Sequence, residues 1–505
     1  MKFVQLTTEA DVPTTATQWS SGPPLARLIQ VAFRAGCRTV VELAAAECAE
    51  WDEEFQALFA DISDRLQGTP VFLLFPDGAV INENDVLKAA STAEGILGYA
   101  IVRPSPLESV AEALITARPS SSTHFITCQS RHSMKLPGDK PLTLDVRGLP
   151  FMQQDRIVTS CAHASLWMAT RLVVGAYPEW KNCEVVTYNR AAEALQYQHT
   201  PHRYSRKLPT MGLFPEEIML VLEREGYDPV PYRFSSESEK AKADHTVYRW
   251  VESGIPVILL MDLEEGGHSV VVCGHTFDPD AWWPGARRDY FPSLASDDLW
   301  YSSSLWAVQY LVLDDNYGPA LAMTRGSLRM RSSVAIVPLP KAAKIYLLPE
   351  DAESIVAGIL FSEGIDGWLK ALLGQGNGNW VEWLRLALRE QRDKLVLRTF
   401  LVRSKEVVDA VRQTPSYAAQ TKQAVRKLKL PEKVWLAEIS IPSIYGDKLK
   451  LGEALLDPRI PIKLMRTGFE GLLWLHLPGL VWSPEQLGPD PLAVGREGPA
   501  PLLPR

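Results

Sequence analysis

The 505-residue sequence has no apolar run of the roughly 20 residues that a bilayer-spanning helix needs; its most apolar stretches, PVILLM from Pro256 and GLLWLHLPGLVW from Gly471, are far shorter. It has no CxxC pair. Cys37, Cys48, Cys128, Cys161, Cys183 and Cys273 are scattered, which speaks against a structural zinc site or a disulfide framework and for reduced thiols in a reducing, cytoplasmic setting. There is no Walker or dinucleotide glycine motif and no internal repeat. Positive charge is in deficit, with 52 Lys and Arg against 60 Asp and Glu and a formal net charge of −8, so neither nucleic acid nor an anionic membrane is expected as a partner. At the N-terminus MKFVQLTTEADVP reaches Glu9 and Asp11 before any run long enough for a secretory signal, and none is expected.

What is present is the composition of an ordinary globular chain, 46% hydrophobic and 22% charged. The length suggests about three domains. Residues 1–148 mix helical patterns (24–35, 50–66) with extended ones (71–75, 98–102, 124–128) and a Ser-rich turn at 120–123, an α/β module. Residues 149–342 read as a helical half followed by a sheet half. Helices are expected from Cys161 and at 189–198, 215–225 and 243–252, then strands at PVILLM, HSVVVCG and VQYLVL. A mixed α/β module follows at 343–482, with helices near 351–361, 380–392 and 405–412 and strands near 395–402 and 434–439. The tail 483–505 is rich in Pro and Gly and is expected to be disordered or loosely docked.

The chemistry is concentrated in the central region. Cys161 opens the apolar segment CAHASLWMATRLV, and a helix start favours an anion through its unpaired amides and macrodipole, the setting that activates a cysteine nucleophile. His268 follows two glycines and opens the apolar strand of GGHSVVVCGH, a position that aims an imidazole at a cleft. In VQYLVLDDNYGP an apolar strand delivers Asp314 and Asp315 to a turn. Each feature alone is commonly structural. In the chain order Cys, His, Asp they form a nucleophile, a base and an orienting acid. Because neighbours at a strand end alternate in direction, Asp315 is taken as the orienting acid and Asp314 is expected on the other face.

On these residues the chain resembles the papain-like cysteine peptidase superfamily: HSVVVCG is similar to its histidine strand, and LDDNYG to its pattern of acid or amide, polar residue, aromatic and Gly. The closer likeness is to bacterial double-glycine leader peptidases, in which a Gln-containing segment precedes the cysteine helix, as FMQQDRIVTSCAHASLWMA does here. The resemblance spans roughly residues 150–340. It implies an α+β papain-like core between the two flanking modules, thiol-dependent cleavage of a peptide or isopeptide amide, and a peptide or protein substrate. No metal or organic cofactor is implied. It also implies that Gln154 helps to bind the oxyanion. Gln154 stands seven residues before Cys161 where the family has six, so Gln153 stays open as the donor. Ala162 and His163 replace the Gly and Pro that often follow the cysteine. Transglutaminase-like acyl transfer or deamidation uses the same order of residues, and a catalytically silent peptide-binding scaffold is a reading from another class.

Other residues read more plainly. His163 is turned away from Cys161 on a helix and is expected to be structural or at the rim. His199 and His202, even with Cys183, lack the further ligands of a metal site and are assigned to a polar loop. Cys273 is expected in the core. The aromatic-rich stretch 276–304, with Trp282, Trp283, Tyr290, Phe291 and Trp300, joins the histidine and aspartate strands; it reads equally as a wall of the site or as an insertion packed on a flank. The basic run QTKQAVRKLKLPEK from Gln420 is read as solvated surface.

Overall fold

The computed structural model of the protein describes residues 1–505 apart from 19–22, 44–70, 77, 91, 93–94, 104–108, 118–123, 137–141, 155–160, 178–179, 181–182, 188–212, 265, 280–299, 375–378, 390–394, 465–469, 484–490 and 505. The helices expected at 50–66 and 189–198, the turn at 120–123, His199, His202, Cys48 and most of the aromatic stretch lie outside the described residues. The fold is mixed α+β with antiparallel sheets. Among the described residues no helix is long and apolar enough to cross a membrane. The chain divides into two compact units, one made of Met1–Ala243, Gly254–His275 and Gln309–Ala343, the other of Asp244–Ser253, Thr276–Val308 and Lys344–Arg505.

The first unit holds two sheets. In the first sheet the strands β1 (Lys2–Gln5), β2 (Thr39–Leu43), β3 (Val71–Phe75), β4 (Gly98–Val102), β5 (Val110–Ile115), β7 (Ser130–Leu136) and β8 (Leu142–Phe151) pair in the order β1-β2-β3-β4-β5-β8-β7; β6 (His124–Ile126) belongs to the second sheet. Every pairing is antiparallel, so the N-terminal region is an antiparallel layer rather than an alternating α/β unit. β3 reads VFLLF without alternation because both of its faces are covered: all five residues are buried. Helices α1 (Asp11–Ala16), α2 (Pro23–Arg34) and α3 (Glu83–Ala90) accompany this sheet, with α2 against β5 and α3 against β8. β8 runs through residue 148 and leads into the Gln153–Gln154 segment.

The second sheet has the order β14-β13-β11-β10-β15-β9, with β6 paired to β11. Its strands are β9 (Val230–Arg233), β10 (Val257–Leu263), β11 (Gly266–Thr276) and, after β12 (Tyr301–Ser302) of the other unit, β13 (Gln309–Asp314), β14 (Gly318–Thr324) and β15 (Ser332–Val337). Between the sheets lies α4 (Cys161–Ala176), which packs on β7 and β8 of the first and β10 of the second. Apolar residues surround α4 on all sides, as a fully buried helix requires, and Ala162–Val173 are all buried. Its one cation, Arg171, pairs with Glu112 of β5 at 2.9 Å, and Arg171 and Tyr99 of β4 both hydrogen-bond that carboxylate. Helix α5 (Pro215–Arg224) starts with Pro at its first position and packs on β15.

The second unit contains most of α6 (Ala243–Glu252), helices α7 (Pro349–Leu360), α8 (Glu363–Gly374), α9 (Asn379–Arg389), α10 (Ser404–Gln413) and α11 (Ala419–Arg426), and the sheet β12-β16-β17-β19-β20-β21-β22. Its strands are β16 (Val396–Arg403), β17 (Lys433–Ser440), β19 (Gly452–Leu456), β20 (Leu472–Leu477), β21 (Leu480–Trp482) and β22 (Leu492–Ala493), while β18 (Leu449–Lys450) pairs with β23 (Ala500–Pro501). Across four neighbouring strands Arg398, Glu438, Glu453 and His476 stand directly opposite one another, all buried. Arg398 binds Glu252 and Glu438, and Lys450 binds Glu438 and Glu453. Burial opposes charge on Glu438, yet Lys450 and Arg398 hold its carboxyl below the usual range.

The C-terminal tail departs from expectation. Glu497 accepts from His476 Nε2 at 2.8 Å, from the Ala418 amide at 2.8 Å and from the Thr421 hydroxyl at 2.6 Å. The Leu503 amide donates to Glu438 at 2.7 Å and its carbonyl accepts from Arg398 at 3.0 Å. Residues 491–504 are therefore docked: Pro and Gly composition registers weak helix and strand propensity, not the backbone pairing and buried charge that hold a short segment in place.

Candidate active site

Cys161 is the first residue of α4, at the end where unpaired amides and the macrodipole favour an anion. Its side chain stands beside His268, close enough to favour the charged imidazole. His268 is the third residue of β11, after Gly266, whose φ of +124° only glycine takes easily. The imidazole is largely buried, which alone would lower its pKa. Asp314, as acceptor and as charge, together with Cys161 and the charge of Asp315, outweighs burial and raises it from 6.5 to about 10. At neutral pH this imidazole is a cation.

Both carboxylates face it. Asp314 Oδ1 lies 3.2 Å from His268 Nε2 and Asp315 Oδ1 lies 3.8 Å away, with Asp315 fully buried. Asp314, expected on the opposite face, is thus the one within hydrogen-bond distance. The alternation rule fails here because β13 ends at Asp314 and Asp315 already lies in the turn; the bulge that shifts the register beside it is on β14, where Pro319 and Ala320 stand opposite Leu313. Asp314 also accepts from the Asn316 amide at 2.9 Å, closing a turn in which Tyr317 N bonds Asp314 O at 3.1 Å.

The two glutamines separate clearly. Gln153 is bound to β5: its main-chain amide donates to Val110 O at 2.9 Å, and its side-chain oxygen accepts from Val110 N at 3.0 Å. Gln154 turns the other way and donates through Nε2 to Asn316 Oδ1. A continuous network results, from Gln154 through Asn316 and Asp314 to His268, with Cys161 beside the imidazole. Asn316 had no role in the sequence reading, although the run Asp-Asp-Asn before Tyr-Gly is a common signal for side-chain-capped turns.

Burial pushes the Cys37 thiol up to about 12, Cys183 up to about 11 and Cys273 well above its ordinary value. Cys273 is a core residue, its sulfur donating to Leu311 O at 3.5 Å, as the sequence suggested. His163 is buried within α4. Trp300, the described member of the aromatic stretch named above, donates to Glu353 at 2.6 Å inside the second unit.

Ligand atoms of His268, Asp314 and Asp315 lie within 4.8 Å of one another, close enough to share a metal ion. The two carboxylates that favour a proton on His268 would favour such a cation as well, so proton and metal would compete for one nitrogen. No protein-family model matches the chain, and no curated protein sequence matches it at a significant level.

Proposed function

We propose that the protein is a thiol-dependent hydrolase with a papain-like core, cutting a peptide or isopeptide amide through an acyl-enzyme on Cys161. The observation that carries this reading is Cys161 at the head of α4 beside His268, whose imidazole lies 3.2 Å from Asp314. A buried helix headed by the sulfur, beside an antiparallel sheet bearing base and acid, is the arrangement such a core needs.

In this reading the Cys161 proton already resides on His268 in a thiolate and imidazolium pair, and the thiolate attacks the carbonyl carbon, forming the C–S bond and moving the C=O electron pair to oxygen. Collapse of the adduct breaks the C–N bond while His268 returns the proton to the leaving amine. Water, deprotonated by His268, then attacks the thioester, releasing the acid and the thiol. Asp314 holds the imidazole and balances its charge, with Asp315 adding to that charge from behind. Gln154 keeps a second N–H beyond the one given to Asn316, and we assign it to the oxyanion together with the Cys161 amide. The substrate is a peptide or protein; neither a cofactor nor nucleic acid enters these steps, and free cysteines suit a cytoplasmic setting.

Transfer of the acyl group to an amine would begin with the same thioester, and product mass separates the two outcomes. The test is incubation with a peptide mixture in ¹⁸O-water, followed by mass spectrometry. Products carrying ¹⁸O and an acyl adduct on Cys161, both lost in Cys161→Ala, support hydrolysis. Unlabelled amide products support transfer, and turnover that survives in Cys161→Ala excludes both.

A further inference from the structure

The turn that carries the two aspartates is held from outside its own sheet. β14 is an edge strand, and it begins with backbone that resists an ordinary conformation: Gly318 has φ +117° and Ala320, a residue with a Cβ, has φ +54°. Arg27, on α2 in the N-terminal region, donates from Nε to Pro319 O at 3.3 Å and from a terminal nitrogen to Ala320 O at 2.8 Å. Its remaining arm bonds Gln30 at 2.7 Å, and Gln30 in turn donates to Glu9, which also pairs with Arg34. The Arg27 stem lies under Gly318 so closely that a Cβ there would come within 2.6 Å of Arg27 Cγ. Strained backbone persists only where its surroundings over-determine it. Here the surroundings are one planar guanidinium, oriented by Gln30 and matched to two consecutive carbonyls.

We propose that Arg27 is a positioning residue for the acid of the triad: by clamping Pro319 and Ala320 it fixes the Asp314–Gly318 turn, and so the Asp314 to His268 contact. The inference rests on the hydrolase reading. It makes the N-terminal region part of the machinery, because α2 supplies the clamp. Gly318 pairs with Asp314 across the hairpin, so movement at Pro319 is passed directly to the carboxylate. Displacement of a catalytic contact by about 1 Å is enough to cost on the order of 100-fold in rate.

The experiment follows the His268 titration by NMR and the rate of Cys161 alkylation by iodoacetamide, in the full chain, for wild type, Arg27→Met, Arg27→Lys, Asp314→Asn and His268→Ala. Among the described residues the groups that act on His268 are Cys161, Asp314 and Asp315, all left in place by the Arg27 variants. The expected result is a His268 midpoint lowered by about one unit or more in Arg27→Met, with alkylation near neutral pH slowed about tenfold. Arg27→Lys keeps the aliphatic stem but cannot bridge both carbonyls, and should lie between; if Arg27→Met does not fold, Arg27→Lys decides by the direction of its midpoint. A midpoint unchanged in a folded Arg27 variant, while Asp314→Asn lowers it, overturns the clamp and leaves the hydrolase reading intact. If His268→Ala alkylates as fast as wild type, the hydrolase reading itself falls, and the positioning role with it.

Discussion

Replacing Asp314 by Asn removes one charge beside His268 and leaves the turn's shape nearly unchanged. At an effective dielectric of about 20, carboxylates at 3.2 and 3.8 Å attract the imidazolium by about 5 and about 4 kcal/mol. The net rise from 6.5 to about 10 corresponds to about 5 kcal/mol, so burial takes back roughly the remaining 4. Loss of the Asp314 charge should therefore bring the His268 midpoint down by nearly four units, back toward its ordinary value of about 6.5. Asp315→Asn should lower it too, by less, since Asp315 is farther and outside hydrogen-bond distance. The assay is ¹³C-histidine NMR between pH 5 and 11, read on both variants and wild type. If Asp315→Asn produced the larger fall, the partner assignment would be wrong; if neither changed the midpoint, the electrostatic account of this imidazole would be refuted.

Further outcomes follow from the same contacts. Because the folded midpoint of His268 lies above its unfolded one, its stabilisation is complete below about pH 6.5 and is lost as pH rises through about 10; urea melts of wild type and His268→Ala should converge across that window. Arg171→Met leaves the Glu112 carboxylate buried without its cation and should cost about 3–5 kcal/mol in chemical denaturation, whereas an effect within 0.5 kcal/mol would show the pair to be dispensable. Glu497→Ala should release the tail from His476 and destabilise by a similar ~3–5 kcal/mol, with faster amide exchange at Leu503; unchanged exchange would mean the tail is held by its strand pairing alone. Zinc, if it enters the His268–Asp314–Asp315 group, should bind more tightly as pH rises toward 10, since it must displace the proton; affinity independent of pH would place it elsewhere.

Much of the second-unit fold was legible because its elements carry one period each. α7, α9, α10, β16 and β17 lie within three residues of the positions that apolar spacing indicated. α4 was legible for another reason, apolar residues on every side. What escaped was non-local. The antiparallel pairing of β1 to β5 depends on partners tens of residues apart, and the buried row Arg398, Glu438, Glu453 and His476 looks in sequence like four unrelated polar residues. In the site, the positions of Cys161 at a helix start and His268 at a strand start could be read directly. The choice between Asp314 and Asp315 could not, because β13 ends at Asp314 and Asp315 sits in the turn, where the alternation on which the choice rested no longer holds. Arg27 was invisible for the same reason as the charge row: its partners are carbonyls some 290 residues away.

The central claim is that Cys161 and His268 act as one ion pair. Its most direct test is the pH profile of iodoacetamide labelling at Cys161, resolved by mass spectrometry, in wild type and His268→Ala, with Cys37, Cys183 and Cys273 as internal thiols that burial keeps protonated. The account predicts rapid labelling of Cys161 already at pH 6 to 7, at least about tenfold faster than in the mutant. Labelling that rises only with ordinary thiol ionisation, equally in both proteins, would contradict it.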